Sequence, residues 1–236
     1  MERHPVILSI AGSDCSGGAG IQADIKTISA LGGYAASAIT AVTVQNTLGV
    51  RAVHAIPPEI VCGQIEAVME DLQPVAVKIG MVNDIQIVHV IADCIRKYSP
   101  EHIIYDPVMV STSGRRKLMT DEAIEEIKKK LLPLVTLVTP NIDEAKVLTG
   151  KSIQNTQDML EAAKQLSDSY QTHILIKGGH LEGDQMCDLL YSPDHTYYIY
   201  EEKKIESKNL HGTGCTLSSA IASYLAKGYS MKDSIC

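Results

Sequence analysis

The chain has 236 residues and a mass of 25.5 kDa, with 45% hydrophobic and 21% charged residues. These proportions are ordinary for a globular protein and exclude disorder, collagen and coiled coil as the main architecture. Because the sequence contains neither Phe nor Trp, the core must be mainly aliphatic. Aliphatic side chains suit strands that are buried on both faces of a parallel sheet.

Charge and cysteine usage exclude further classes of protein. The net charge of −7 argues against nucleic acid as a partner, because nucleic acids are bound by clustered Lys and Arg. No apolar run approaches the ~20 residues that span a bilayer, and the polar residues 1–5 are not a signal peptide, so we expect no membrane association. Six Cys and eight His residues are scattered without disulfide or zinc spacing, which favours a cytoplasmic protein with reduced thiols.

The hydrophobic pattern predicts strands and helices that alternate along the chain. Strands are predicted over residues 6–11, 34–44, 75–79, 102–105, 134–138, 173–176, 186–191 and 197–200. Helices are predicted over residues 21–31, 59–72, 85–98, 123–131, 143–148, 159–166 and 214–226. This alternation predicts an α/β fold with a mainly parallel sheet and helices on both faces, as one domain over residues 1–236. Ser230 to Asp233 resembles a helix start, so we expect the C-terminal helix to be incomplete.

Polar, glycine-containing segments follow the predicted strands. In open α/β sheets, ligands bind beyond the carboxyl ends of the strands, so these segments mark the expected site. In chain order they are Gly12 to Gly20, Gln45 to Thr47, Gly80-Met81, Asp106, Thr139 to Glu144, and Lys177 to His180.

The segment HGTGC at residues 211–215 opens an Ala/Ser-rich helix. Its two glycines let backbone N–H groups approach a ligand closely, and the N-terminus of a helix binds anions such as phosphate. Cys215 falls in the first turn, where the helix dipole is expected to lower its pKa and make the thiol a usable general base. A glycine-rich cap followed by a buried, packing Cys explains the same residues equally well.

Four further residues have both a functional and a structural interpretation. Asn141 and Glu144 fit a capping box, or a carboxylate near a phosphate site that holds Mg²⁺. Lys177 either contacts a nucleotide phosphate or merely ends a strand. Asp106, which precedes a proline, is either a cation-linked carboxylate or a turn former.

Other features are weaker signals. The loop Ser16 to Gly20 lacks both the dinucleotide-binding and the P-loop fingerprint, and a flexible turn explains it as well as a ligand site does. Gln45 and Asp24 have side chains that can pair with a heterocycle, although composition alone gives this little support. The basic run Lys128 to Lys130 is interpreted as a solvated helix face. Arg115 to Lys117 fits a phosphate-facing lid and a solvated loop equally well.

Seven segments together resemble the hydroxymethylpyrimidine/phosphomethylpyrimidine kinases of thiamine biosynthesis, in the ribokinase-like superfamily. In order, they are AGSDCSGGAGIQADIKT, TAVTVQNT, KIGM, DPVMVSTSG, TPNIDEA, LIKGGH and HGTGCTLSSAIA. The resemblance extends from about Val6 to Gly228 and implies a ribokinase-like three-layer α/β/α sandwich. It also implies phosphorylation of 4-amino-5-hydroxymethyl-2-methylpyrimidine, and then of its monophosphate, with ATP and Mg²⁺.

The resemblance carries residue roles as well. It implies that Cys215 is the catalytic base and that Gly212 and Gly214 form the anion hole. The implied pyrimidine-binding residues are Gly12, Asp24, Gln45, Met81 and Val108. The implied nucleotide-binding residues are Asp106, Asn141, Lys177 and Thr213, and the implied metal-binding residues are Asp106 and Glu144.

The identity of residue 215 bears on the substrate. Most ribokinase-like sugar and pyridoxal kinases have Asp at the position of Cys215, so the Cys favours the pyrimidine branch. Some members of this branch also phosphorylate pyridoxal, which makes a pyridoxal kinase on the same scaffold the alternative. A non-catalytic ligand-binding domain is disfavoured because the site residues are present. We expect a homodimer that acts on a small molecule.

Overall fold

The computed structural model describes residues 4–46, 48–82, 84–109, 119–179, 185–203 and 211–236. The strands are β1 (Val6–Asp14), β2 (Tyr34–Asn46), β3 (Gly49–Ala55), β4 (Ala76–Ile79), β5 (His102–Tyr105), β6 (Leu137–Val138), β7 (His173–Ile176), β8 (Gln185–Tyr191) and β9 (Tyr197–Lys203). The helices are α1 (Gly20–Ala30), α2 (Pro58–Asp71), α3 (Ile85–Tyr98), α4 (Asp121–Lys130), α5 (Ile142–Thr149), α6 (Thr156–Tyr170) and α7 (Thr213–Ala226), with a 3₁₀ turn at Leu132–Leu134.

The nine strands form one sheet in the order β3-β2-β1-β4-β5-β6-β7-β8-β9. The strands from β2 to β7 in this order run parallel. At one edge β3 pairs with β2 in the antiparallel direction, and at the other edge the pairs β7–β8 and β8–β9 are antiparallel. The chain leaves β1 toward β2 on one side and returns to β4 on the other side. The boundary between β1 and β4 is therefore a topological switch point, where open α/β sheets form a ligand crevice.

A separate hydrophobic core lies on each face of the sheet. Helices α1 and α7 cover one face, where Ile28 and Ile221 pack with the strand residue Ile104. Helices α2 to α6 cover the other face, where the buried residues are mainly Ile, Val, Leu, Ala and Met, joined by Tyr105 and Tyr191. The described residues thus confirm the predicted α/β class, with a mainly parallel sheet between two helical layers.

The predicted elements are found, with differences at their ends. The strand predicted from residue 134 begins at Leu137, because Pro133 lies in the 3₁₀ turn that precedes it. Helix α6 is longer than predicted at both ends and is capped by Asn155. The predicted polar turn at residues 45–47 is wrong for Gln45 and Asn46, which continue β2 and pair with β3, whereas Thr47 lies outside the described residues.

Two smaller predictions concern surface and terminal segments. The basic run on α4 is a solvated face, where Lys128 and Lys129 pair with Glu125 and Glu126 one turn earlier. The backbone N–H of Asp233 donates to Ser230 Oγ at 3.2 Å, but residues 231–235 form a turn, so the helix predicted to start here is not seen. Among the described helices, none has the length and apolarity needed to cross a membrane.

The core beneath α7 yields a stability prediction. Ile104 on β5 is fully buried, whereas Ile60 on α2 is 53% exposed. Ile104→Ala should lower the free energy of unfolding by about 2–5 kcal/mol, because the cavity adds to the lost transfer energy. Ile60→Ala removes the same atoms and should change it by less than about 1 kcal/mol. Urea unfolding of both variants measures the contrast, and equal losses would contradict this description of the core.

Candidate active site

The sheet face under α1 and α7 changes from apolar to polar toward the carboxyl ends of its strands. Residues two apart on a strand lie on the same face. The apolar members of this face are Ile7, Ala76, Ile104, Leu137 and Leu175. The residues two positions later are Ser9, Lys78, Asp106, Thr139 and Lys177. Directly beyond the apolar layer there is therefore a polar row, at the edge where the sequence predicts the site.

Lys78 and Asp24 form an ion pair that is completely removed from solvent. Lys78 Nζ donates to both carboxylate oxygens of Asp24, at 2.9 Å each. The hydroxyls of Ser9 and Ser219 donate to the same carboxylate at 2.5 and 2.8 Å. Burial would lower the pKa of Lys78, but the charge of Asp24 raises it above its usual range. The oxygens of Asp24 thus have protein partners in Lys78, Ser9 and Ser219, and its contact with the pyrimidine stays a prediction.

A second ion pair joins Asp106 and Lys177. Lys177 Nζ donates to Asp106 Oδ1 at 2.9 Å, and Thr139 Oγ1 donates to the same oxygen at 3.2 Å. Burial would raise the pKa of Asp106, but Lys177 and Lys78 hold it below its usual range. The side chain of Lys177 is 17% exposed, whereas that of Asp106 is 3% exposed, so Lys177 is the member of the pair that lies nearer to the surface.

Glu144 and Asn141 form the capping box of α5. Asn141 Oδ1 accepts from the backbone N–H of Glu144 at 2.9 Å, and Glu144 Oε2 accepts from that of Asn141 at 2.8 Å. Burial raises the pKa of Glu144 to about 7, although the positive charge of Lys177 opposes the rise and Asp106 adds to it. The structural interpretation of this pair is therefore realised, and the carboxylate also lies within the field of the second ion pair.

The N-terminus of α7 lies over the second ion pair. Gly212 is the N-cap residue and Thr213 the first helical residue. A Cβ atom on Gly214 would lie 3.2 Å from Lys177 Nζ and 3.3 Å from Asp106 Oδ2. The missing side chain thus lets the first turn of the helix approach this ion pair, and a helix N-terminus beside a cationic side chain is the geometry of an anion site.

Asp14, at the end of β1, organises the glycine-rich loop and holds it against α7. Its Oδ1 accepts from the backbone N–H and the hydroxyl of Ser16, and its Oδ2 accepts from the backbone N–H groups of Gly18 and Ala19. His211 Nε2 lies 2.9 Å from the same Oδ2. Burial would raise the pKa of Asp14, but these hydrogen bonds hold it well below its usual range.

Cys215 lies in the first turn of α7, as predicted, and the backbone N–H of Gly20 at the start of α1 acts to lower its pKa. Burial raises the pKa of the thiol. The positive charge of Lys78 opposes the rise, and the carboxylates of Asp24 and Asp106 add to it. The predicted lowering of the thiol pKa was therefore wrong, because the helix dipole was considered without the cost of desolvating a thiolate.

The other residues assigned to the pyrimidine lie around the switch point. Gly12 and Met81 meet across it, since a Cβ atom on Gly12 would lie 2.6 Å from Met81 Cε. The side chain of Gln45 faces Asp14 on the neighbouring strand and acts to lower the pKa of that carboxyl. Val108 is partly exposed beyond β5. Arg115 to Lys117, and His180, lie outside the described residues.

Comparison with known proteins places this geometry in a family. The family model described as phosphomethylpyrimidine kinase matches residues 14–236. The chain belongs to the phosphomethylpyrimidine kinase family. A curated relative, the hydroxymethylpyrimidine/phosphomethylpyrimidine kinase of Rhizobium meliloti (strain 1021), is 47% identical over 98% of this chain and 86% of its own length.

Solved structures agree with this placement. The phosphomethylpyrimidine kinase of Clostridium difficile 630 is 45% identical, with a TM-score of 0.87 over 98% of this chain and 94% of that one. The pyridoxal kinase of Staphylococcus aureus in complex with AMP-PCP is 33% identical, with a TM-score of 0.90 over 99% of this chain and 85% of that one. The fold is therefore the ribokinase-like fold of these kinases, and the chain is a phosphotransferase.

Sequence reasoning missed two residues of this kinase site. Lys78 interrupts the apolar strand AVKI, and a charge inside a doubly buried strand requires a partner, because an unpaired one is very costly. Asp14 follows β1 and precedes a glycine-rich loop, which is the position of a side chain that accepts hydrogen bonds from a turn. Both signals were present in the sequence, and neither residue was assigned a role.

Gly212 links the loop to the anion site and yields a prediction with a matched control. It has φ +81°, and a Cβ atom there would lie 1.8 Å from the carbonyl oxygen of Gly18. Gly228, beyond the end of α7, has φ +88° and open space around it. Both Ala variants carry the cost of a left-handed conformation, about 1–2 kcal/mol, and only Gly212→Ala also displaces the loop from α7.

Gly212→Ala should therefore lower kcat/KM for phosphorylation by at least about tenfold, which corresponds to ~1.4 kcal/mol of lost transition-state stabilisation. Gly228→Ala should retain the activity of the unmodified enzyme. Steady-state kinetics and thermal unfolding of both variants test this. If the two variants have equal activity, the close contact between Gly212 and Gly18 has no role in the kinase reaction.

Proposed function

We propose that the chain transfers the γ-phosphoryl group of ATP to the hydroxymethyl group of 4-amino-5-hydroxymethyl-2-methylpyrimidine, and then a second phosphoryl group to the monophosphate. The observation that carries the proposal is the N-terminus of α7, with Gly214 and Cys215, directly over the Lys177–Asp106 pair. Family membership and the name of the Rhizobium meliloti relative support the choice of substrate.

The nucleotide phosphates are proposed to bind between α7 and the carboxyl ends of β5 to β7. Lys177 supplies a positive charge there, and the backbone N–H groups at Gly212, Thr213 and Gly214 receive the charge on the transferring phosphoryl group. Asn141 lies at the same edge, where its backbone bridges that of Lys177. The AMP-PCP complex of the pyridoxal kinase from Staphylococcus aureus supports ATP as the donor.

Two carboxylates fit a magnesium ion that is shared with the nucleotide. Mg²⁺ in kinases is bound by one or two carboxylates together with substrate phosphates, rather than by a cage of protein ligands. Among the described residues, Glu144 is buried without a direct ion pair, and Asp106 Oδ2, beside Gly214, accepts only a 3.5 Å hydrogen bond from the hydroxyl of Ser218. We propose that these two side chains hold Mg²⁺, whose chemistry is to offset the negative charge of the phosphates.

Cys215 is proposed to accept the proton of the substrate alcohol in the first step. General base catalysis contributes about 10²–10⁴-fold to such reactions. The pyrimidine is proposed to lie at the switch point, against Gly12 and Met81, with Gln45 and Val108 beside it. Because this part of the site offers a thioether and aliphatic groups, the ring is held mainly by apolar contacts.

Pyridoxal is a second candidate acceptor. Six of the similar solved structures are pyridoxal kinases, with TM-scores of 0.89 to 0.90. A further neighbour is titled the last common ancestor of HMPPK and PLK/HMPPK vitamin kinases and is 38% identical. We propose the pyrimidine as the main substrate because the relatives and the family model carry its name. Rates of phosphorylation of the pyrimidine and of pyridoxal, measured under the same conditions, show which of the two is the better acceptor.

We also infer a cytoplasmic homodimer. The six cysteines are free, as is usual in a reducing compartment. The hairpin of β2 and β3 exposes apolar side chains, with Val42, Val44 and Leu48 at 45%, 55% and 75% of their maximal accessibility. An exposed apolar patch of this kind is typical of a protein interface, and a second copy of the chain is its proposed occupant.

The role of Cys215 predicts an unequal effect on the two steps. In the second step the acceptor is a phosphate, which is already largely ionised at neutral pH and needs no base. Cys215→Ala should therefore slow the first phosphorylation by about 10²-fold or more and the second much less. Single-turnover assays with each acceptor, followed by mass, measure both rates. Cys62→Ala on α2 is the matched control, and equal losses in both steps would refute the role as base.

The role of Glu144 predicts a change in the requirement for magnesium. Glu144→Gln keeps the capping box, which accepts Glu or Gln, and removes the charge. The variant should need at least about tenfold more Mg²⁺ for half-maximal activity, a loss of ~1.4 kcal/mol. For the unmodified enzyme, this requirement should rise as the pH falls through about 7, because the protonated carboxyl binds the cation poorly. The variant should lack this pH dependence.

Asp158→Asn is the control for this experiment. Asp158 accepts a backbone hydrogen bond at the N-terminus of α6, and its own N–H donates to Asn155, so its setting resembles that of Glu144 without lying near the ion pairs. The Mg²⁺ concentration for half-maximal activity is measured at two pH values for the unmodified enzyme, Glu144→Gln and Asp158→Asn. An unchanged requirement in Glu144→Gln excludes Glu144 as a metal ligand.

A further inference from the structure

The Lys78–Asp24 pair has no assigned role in the reaction, yet it occupies the centre of the site. Replacing a buried ion pair with packed apolar residues is often neutral or stabilising, by ~1–4 kcal/mol. Stability of the fold therefore gives little reason for this pair. Gly80, two residues after Lys78, leaves the space that the ammonium occupies, because a Cβ atom there would lie 2.9 Å from Nζ.

Two matched contacts between α1 and α7 place the pair beside Cys215. Residues four apart lie on the same face of a helix, which relates Gly20 to Asp24 on α1, and Cys215 to Ser219 on α7. The backbone N–H of Gly20 acts on the Cys215 thiol and favours its thiolate, and one turn further along, the hydroxyl of Ser219 donates to Asp24 Oδ1 at 2.8 Å. The thiol thus lies at the N-termini of two helices, one turn from the carboxylate that holds Lys78.

We propose that Lys78 and Asp24 are positioning residues for Cys215: Asp24 joins α1 to α7 and orients the Lys78 ammonium, whose positive charge stabilises the Cys215 thiolate. The other charged groups that face the thiol are Asp106 and Lys177, which remain in every variant below. This inference rests on the proposed function of Cys215 as the base, because only the thiolate accepts a proton.

Two substitutions, Lys78→Met and Asp24→Asn, should have opposite effects on the thiol if the charges of Lys78 and Asp24 matter. A merely structural role of the pair would not give opposite effects. Lys78→Met removes the cation and should raise the pH at which Cys215 reacts with iodoacetamide, slowing alkylation at neutral pH by about tenfold for each pKa unit. Asp24→Asn removes a negative charge near the sulfur and should lower that pH. The amide oxygen can still accept from Lys78 and Ser219, and Asp106 remains as a counter-charge, so we expect the ammonium to keep its place and its charge.

The test is the pH dependence of alkylation at residue 215, resolved from the other cysteines by peptide mass spectrometry. Ser223→Ala, one further turn along α7, removes the buried hydrogen bond to the Ser219 carbonyl without touching a charge, and should leave the midpoint unchanged. Midpoints that stay at the wild-type value, or that move in the same direction in both charge variants, overturn the proposal. If Lys78→Met does not fold, Asp24→Asn decides alone, and a midpoint at or above the wild-type value overturns it.

The alkylation readout is independent of the kinase reaction. If Cys215→Ala keeps full activity in the first step, the proposed base role fails, while the midpoints still show whether the ion pair sets the charge of the thiol. If the base role holds, the pH profile of the first phosphorylation should move with the alkylation midpoint in each charge variant. A first-step profile that stays fixed while the midpoint moves would assign the base to another group.

Discussion

The candidate site depends on the burial of opposite charges at the point where one face of the sheet turns from apolar to polar. Lys78 on β4 is paired with Asp24, and Lys177 beyond β7 with Asp106. Removing one partner of a buried pair leaves an uncompensated charge and costs ~3–5 kcal/mol. These charges are therefore tolerated only when α1, α7 and the sheet are all in place. The same helices that cover the apolar layer thus supply the partners of the polar row above it.

Helix α7 connects the two halves of the site because glycines replace side chains where it contacts them. At Gly212 it approaches the loop that Asp14 organises, and at Gly214 it approaches the Lys177–Asp106 pair. One carboxylate organises the loop, and the helix has glycines where a side chain would collide with the loop or the ion pair. The backbone N–H donors at the N-terminus of the helix are thereby held in a fixed arrangement. Such preorganisation is what phosphoryl transfer requires of a protein, since positioning and electrostatic stabilisation carry most of the catalysis.

The fold was largely predictable because its signals are periodic, whereas the site depends on cross-sheet neighbours that no local pattern contains. Aliphatic runs followed by glycine and polar residues located the parallel strands and the edge where the site lies. Strand β3 was missed because it is an edge strand with mostly exposed residues, so it lacks the alternation of a half-buried strand. Nothing local to Asp24 shows that Lys78, 54 residues later, pairs with its oxygens. The charge of Cys215 was misjudged for a similar reason, since its burial is set by other elements.

The raised pKa of Cys215 is consistent with a site that accepts two different phosphoryl acceptors. Under the proposed reaction, the second acceptor is itself an anion, and a carboxylate at residue 215 would add a permanent negative charge beside it, near Asp24 and Asp106. A buried thiol is neutral when protonated and adds no such repulsion. The first acceptor is an alcohol and needs a base, so the thiolate must remain accessible, and the positive charge of Lys78 acts in that direction. Burial and Lys78 thus shift the pKa of the Cys215 thiol in opposite directions. Under the proposed reaction, their balance lets the residue act as a base in the first step and remain an uncharged thiol in the second.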